Sequence, residues 1–137
     1  MTFLRRILKV QAAVWAMFGA VLGVVPRWLT ETLGDQPPMP EYAWLRLVGV
    51  MAVVLALLMV LISRRIDDVW WWAWAFAILE AGAATVFALN AAIGLPPAAA
   101  AWFWWAMSAG SAAFAALDLV GLARAGQEQP LVSSHVR

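Results

Sequence analysis

The sequence has no cysteine and only one histidine, His135, which lies in the polar C-terminal segment. Without cysteine the chain can form no disulfide, no thiol nucleophile and no thiolate metal site. Zinc and haem sites need several converging ligands, so a lone histidine in a polar tail is expected to be solvated. The sequence therefore predicts no metal site and no cofactor.

Charge is scarce too. Charged residues make up 12% of the 137 positions, whereas soluble domains carry roughly 25%. Hydrophobic residues make up 65%, and the mean hydropathy is +0.82. This composition predicts an integral membrane protein whose main partner is the lipid bilayer. The net charge of +1 gives no reason to expect a nucleic-acid partner.

Four apolar stretches are long enough to cross a bilayer, which takes about 20 apolar residues. We predict transmembrane helices over residues 7–25, 43–63, 69–93 and 98–123. The fold class is then an all-α membrane protein, with four helices in an up-down-up-down bundle. The transmembrane domain covers residues 1–124, and residues 125–137 form a short polar cytoplasmic tail. Small residues recur at four-residue spacing in the first helix and predict close helix packing: Ala12, Ala16, Gly19, Ala20 and Gly23.

The long polar connection, residues 26–42, is expected to lie outside the membrane. Pro26 can open a short helix and Gly34 can close it, which predicts an interfacial helix in this first outer loop. Pro37, Pro38 and Pro40 then favour an extended segment.

Basic residues fix the predicted orientation. Seven of the nine lie in segments that are cytoplasmic when the N-terminus is inside, namely Arg5, Arg6, Lys9, Arg64, Arg65, Arg124 and Arg137. The positive-inside rule therefore predicts that both termini are cytoplasmic. Abundant alanine and an Arg to Lys ratio of eight to one are typical of a GC-rich genome. We expect a multi-pass protein of the bacterial plasma membrane.

Tryptophans cluster near the ends of the predicted helices. Because tryptophan is enriched where headgroups meet hydrocarbon, we predict that eight of them lie at the membrane interface: Trp28, Trp44, Trp70, Trp71, Trp72, Trp102, Trp104 and Trp105. Cation-binding aromatic cages are the alternative interpretation.

One carboxylate, Glu80, lies near the middle of the third predicted helix, where an ionisable group is costly. Counting along the helices places it level with Ser108 and Ser111, while Asp118 lies nearer the cytoplasm. We expect Glu80 to be protonated and bonded to a serine of the fourth helix, or to line a small wet cavity. Glu80, Ser108, Ser111 and Asp118 are the candidate ligand-binding residues. The predicted space is a narrow pocket between the third and fourth helices, leaning toward the cytoplasm and too small for a sterol.

The second predicted helix opens with WLRLVGV after a proline-bearing outer loop, and a Pro-Pro turn precedes the fourth. In this plan the chain resembles DoxX-like small membrane proteins. More closely it resembles uncharacterised actinobacterial four-helix membrane proteins with a PRWL…QPP…EYAWLR…RR…WWW…LE pattern. The DoxX-like resemblance implies a loose association with redox or stress partners, although this chain has no cysteine or internal histidine for redox work.

Three functions stay open. The leading one is a non-enzymatic bundle that binds a lipid or apolar ligand, or serves as an accessory subunit of a membrane complex, with another membrane protein or a second copy as partner. The second is a proton-coupled small-molecule exporter using Glu80. The third is a membrane acid-base enzyme of isomerase type, with Glu80 and Asp118 as its catalytic pair.

Overall fold

The computed structural model describes residues 1–128, and all regular structure in this part is helical. There are four long helices, of which three are regular α-helices: α1 (Thr2–Val24), α2 (Ala43–Arg64) and α4 (Ala101–Glu128). The third, α3, spans Ile66–Gly94 and includes one 3₁₀ turn, Trp70–Trp72, and a closing π-helical turn, Asn90–Gly94. A short helix in the first loop, Trp28–Leu33, lies within the connection where the sequence predicts one. His135 and the rest of the tail beyond 128 lie outside the described residues.

All four long helices extend beyond a predicted bound, three of them by more than one residue. α1 begins at Thr2, so that Arg5, Arg6 and Lys9 are part of the helix. The guanidinium of Arg5 pairs with Asp67 at 2.6 Å. α3 begins at Ile66, directly after the end of α2. α4 begins at Ala101 rather than 98, since the N–H of Ala99 bonds to the Pro96 carbonyl in a turn. It continues to Glu128, whose carboxylate contacts the N-terminal amino group.

α1 packs most extensively against α2, and glycines make this close approach possible. A Cβ on Gly49 would lie 2.5 Å from the backbone nitrogen of Gly23 and 2.7 Å from the Gly19 carbonyl oxygen. Ala12 and Gly19 are buried, so the small-residue pattern in the first helix does mark a packing face. Small side chains let the two backbones approach within contact distance.

The second close pair is α3 with α4, and α1 joins the two pairs through its contacts with α4. The hydrophobic core fills the half of the bundle that holds Met1. Its almost fully buried members include Leu4, Leu8, Met59, Ile66 and Phe76, drawn from the first three helices. Leu122 and Ala125 of α4 complete it.

The opposite end is closed by Gln36, whose side chain is 7% exposed. Its Nε2 donates to the carbonyls of Gly34 and Ala100 at 2.7 and 2.9 Å, and its Oε1 accepts from Trp104 Nε1 at 2.9 Å. This one amide joins the first loop to the turn before α4 and to α4 itself. The backbone carbonyl of Asp35 accepts a further hydrogen bond from the Ala100 N–H. Asp35 itself lies in the left-handed backbone region at φ 50°.

The outer surface of the long helices is apolar. α2 alone exposes nine large hydrophobic side chains, namely Trp44, Leu47, Val48, Val50, Met51, Val54, Leu57, Leu58 and Leu61. All four helices are long and apolar enough to cross a membrane. A surface of this kind is unfavourable in water, so the fold is that of a membrane protein.

Candidate functional site

Glu80 lies at the midpoint of the Ile66–Gly94 span and is 1% exposed. Its Oε1 accepts hydrogen bonds from Trp15 Nε1 at 2.6 Å and from Gln11 Nε2 at 2.8 Å. Gln11 and Trp15 are one helical turn apart on α1, so both project from the same face of that helix. An indole N–H can only donate, which makes this carboxyl oxygen an acceptor whichever way the Gln11 amide is turned.

Asp118 is the second buried carboxyl group, and it is fully buried on α4. Its polar neighbours are Gln11 and Glu80. Within residues 1–128 neither Asp118 oxygen has a hydrogen-bond partner, and the same is true of Gln11 Oε1. Gln11 therefore lies between the two acids and is bonded to Glu80. We call Gln11, Glu80 and Asp118 the polar cluster.

A cavity of about 230 Å³ lies on the other side of Glu80 from the hydrophobic core. Side chains from all four long helices line it: Val14, Trp15, Phe18, Val48, Ala52, Glu80, Phe87, Ala106, Met107, Gly110, Ser111 and Phe114. The wall is apolar except at Glu80, Ser111 and the Trp15 indole. Pockets for drug-sized ligands measure about 300–1,000 Å³, whereas an engineered cavity of roughly 150 Å³ holds benzene. The space suits a small apolar molecule with one polar group.

Two of the predicted binding residues, Glu80 and Ser111, lie on this wall, and two do not. The hydroxyl of Ser108 instead donates to the Ala84 carbonyl at 2.8 Å. Asp118 lies in the polar cluster, beside Gln11 and Glu80. Of the two surroundings expected for Glu80, the bond to a serine of the fourth helix is not formed, because both donors to Glu80 come from α1, whereas a position on a cavity wall is found. The sequence predicts the pocket toward the end that holds Met1, but the hydrophobic core fills that half and the space opens in the other half.

The sequence contained a signal for the two missed residues. Gln11 is the only polar side chain between Val10 and Val25, and Trp15 is the one tryptophan that lies far from any helix end. Polar groups inside a transmembrane helix usually face the bundle interior and find a partner there. Their four-residue spacing would have directed both toward the same neighbour.

A second concave region, of about 530 Å³, is an open groove where α1, the Trp28–Leu33 helix and α2 meet. Arg27 pairs with Glu31, and the Tyr42 hydroxyl donates to the same carboxylate. Arg46 also lines the groove, and no acidic residue of the described chain pairs with it.

Six of the eight tryptophans predicted at the interface are about half exposed or more, as an interfacial position requires. The other two differ. Trp70 is buried at 8% exposure in the hydrophobic core, and Trp104 is part-buried and bonded to Gln36. Both still lie near helix ends, but their indoles are held by the protein interior.

No group of three or more His, Cys, Asp and Glu side chains within residues 1–128 could hold a metal ion. The chemistry available at the site is hydrogen bonding and proton binding by two carboxyl groups. No family model, curated protein or solved structure matches this chain.

Proposed function

We propose that the protein is a membrane-embedded binding bundle that holds a small apolar molecule in the cavity beside Glu80. The observation that carries the proposal is the composition of the wall: a largely apolar space into which a buried carboxyl group presents a free oxygen. Glu80 Oε1 is occupied by two N–H donors, while Oε2 accepts no hydrogen bond from the described residues. Apolar pockets with a few convergent polar groups are the usual form of small-molecule sites.

The proposed arrangement is an up-down-up-down bundle in a bacterial plasma membrane with both termini cytoplasmic. Two contacts support it, since Arg5 reaches Asp67 after α2 and Met1 reaches Glu128 at the end of α4. The Trp28–Leu33 helix, with Trp28 and Leu33 about half exposed, would lie at the outer interface. A DoxX-like relationship stays a prediction that no match supports.

A matched pair of glycines tests the binding function. Gly110 lines the cavity and Gly82 does not, yet a Cβ at either position would meet no atom within 4 Å. Gly110→Leu is therefore expected to fill the cavity, whereas Gly82→Leu adds the same side chain elsewhere. The probe is 1-octanol, titrated into protein in a neutral maltoside detergent. The readout is the ¹⁵N-indole NMR resonance of Trp15, assigned with Trp15→Phe.

Saturable shifts of the Trp15 resonance in the wild type and Gly82→Leu, absent in Gly110→Leu, are the expected result. Equal shifts in both glycine variants would place the octanol outside the cavity and count against the function.

A proton-coupled exporter is the second candidate, and one observation favours it. Glu80 belongs both to the cavity wall and to the polar cluster, so a ligand and a proton would act on neighbouring oxygens. Uptake of a labelled alkylamine into vesicles under an imposed pH gradient tests it, with Glu80→Gln as the inactive control. The acid-base enzyme has no comparable support, because Asp118 is not among the residues that line the cavity.

A further inference from the structure

The polar cluster has more acceptors than donors. Gln11, Glu80 and Asp118 are at most 1% exposed. Apart from Glu80 Oε2, three fully buried oxygens of the cluster lack a partner among residues 1–128: both of Asp118 and Oε1 of Gln11. Buried polar atoms are rarely left without a hydrogen bond. Gln11 Oε1 can only accept, so the missing component is a donor.

Side chains from the surrounding helices do not supply that donor. On α1, Arg5 pairs with Asp67 and Lys9 is exposed, while on α4 the guanidinium of Arg124 lies 4.7 Å from the centre of the Phe3 ring. On α2, the Ser63 hydroxyl donates to the Val60 carbonyl. No ion pair joins Glu80 or Asp118 to a basic group of the described chain.

A single proton on Asp118 supplies the missing donor. Its O–H would donate to Gln11 Oε1, which satisfies one oxygen of each residue. That bond would also fix the Gln11 amide with Nε2 toward Glu80, the orientation in which it donates at 2.8 Å. The chain of hydrogen bonds then runs in one direction, from Asp118 through Gln11 to Glu80, and Trp15 adds a second donor at its end.

We propose that Asp118 holds the proton of this acid pair and that Glu80 consequently faces the cavity as a hydrogen-bond acceptor, which selects apolar molecules that carry an N–H donor. The ligand class is an alkylammonium or similar apolar amine. This selectivity rests on the proposed binding function. The proton on Asp118 does not rest on it, because it follows from the polar cluster alone.

Infrared spectroscopy tests the proton on the protein in neutral detergent at neutral pH. The wild type should show a carboxylic acid C=O band that shifts in D₂O and is lost in Asp118→Asn but retained in Glu80→Gln. A band lost in Glu80→Gln, or no acid band in the wild type, overturns the assignment. If Asp118→Asn does not fold, the Glu80→Gln spectrum decides, since retention of the band supports Asp118 and loss of the band excludes it.

Three eight-carbon probes test the selectivity through the Trp15 indole resonance: octylamine, octanol and octanoate. One charge-assisted hydrogen bond corresponds to a preference of about tenfold or more, so octylamine should bind most tightly and octanoate least. Glu80→Gln should reduce the preference for octylamine over octanol. Octanoate binding as tightly as octylamine overturns the inference. If no probe shifts Trp15 in the wild type, the binding function fails instead, and the infrared result still stands or falls by itself.

Discussion

Trp15 Nε1 donates to Glu80 Oε1 at 2.6 Å, which ties the middle of α3 to α1 by a bond between an indole and a carboxyl group. Gln11 Nε2 donates to the same oxygen, so α1 supplies both donors. Two helices whose backbones have little direct contact are thus joined through these side chains.

Removing either donor should weaken the bundle by a modest amount. Hydrogen bonds between membrane helices average about 0.6 kcal/mol and reach roughly 1.7 kcal/mol. Trp15→Phe should lie in that range, because Glu80 keeps its bond to Gln11. Gln11→Leu should cost more, since it removes the donor to Glu80 and a polar neighbour of Asp118 as well. Unfolding in mixed detergent, followed by circular dichroism, measures both. A smaller loss for Gln11→Leu than for Trp15→Phe would contradict the central place of Gln11 in the polar cluster.

Glu80→Gln should leave the protein folded and inserted. The amide keeps an oxygen that accepts from Gln11 and Trp15, and the side chain has nearly the same size. Glu80→Leu, in contrast, leaves two buried N–H groups without an acceptor, at about 1–3 kcal/mol each. Membrane yield and thermal unfolding of the two variants are compared. Loss of Glu80→Gln from the membrane at neutral pH would mean that a charge, rather than an acceptor, is required at this position.

Two glycines where α1 packs on α2 should respond differently to substitution by alanine, because their surroundings differ. Gly49→Ala places a methyl group within 2.5 Å of the Gly23 nitrogen and is expected to cost about 1–3 kcal/mol. Gly23→Ala meets nothing within 4 Å, so it should be neutral or stabilising by up to about 1 kcal/mol. Unfolding midpoints in the same detergent give the comparison. Equal effects would show that the two backbones are farther apart than described.

Gln36 should be far less tolerant of change than an exposed glutamine. Gln36→Leu removes three hydrogen bonds that join the first loop, the turn before α4 and Trp104. The unpaired carbonyls and indole should lower stability by about 2 kcal/mol or more and increase protease cleavage of residues 26–42. The control is Gln127→Leu, at an exposed position near the end of α4. Protection of the loop in Gln36→Leu would argue against this closure.

The proposed orientation in the membrane can be determined by labelling single-cysteine variants, since the sequence has no cysteine. Glu41, Asp68 and Gln127 are exposed and lie in three different connections or ends. In intact cells an impermeant maleimide should label Glu41→Cys, whereas Asp68→Cys and Gln127→Cys should require permeabilised membranes. The reverse pattern would invert the topology while leaving the fold unchanged.

The four apolar helices could be predicted because length and hydropathy decide them. The partners of Glu80 could not, because counting along a helix gives the level of a side chain but not the neighbouring helix that it faces. The start of the first helix adds to the error, since counting from residue 7 instead of Thr2 places Gln11 about 7.5 Å nearer the helix end at 1.5 Å per residue. The basic residues that suggested a later start are themselves helical, and one of them pairs with Asp67.

Trp70 and the position of the cavity depend on packing, which sequence spacing does not reveal. The WWW run looks uniform, yet the helix turns the first indole inward and leaves the next two about half exposed. Likewise the small residues of the first helix predict close packing but not the helix that packs there. The structure shows close approach between α1 and α2, while Gly110 and Ala106 border open space.

The separation into two helix pairs has a consequence for biogenesis. Ribosomal synthesis delivers α1 and α2 first, with Gln11 and Trp15 on one face of α1 and the carboxyl group that accepts their hydrogen bonds not yet made. Until Glu80 follows, this half-made protein presents two unsatisfied donors to lipid. Only the arrival of the third helix satisfies both donors, so the first helix pair cannot complete its hydrogen bonding before the second pair is inserted.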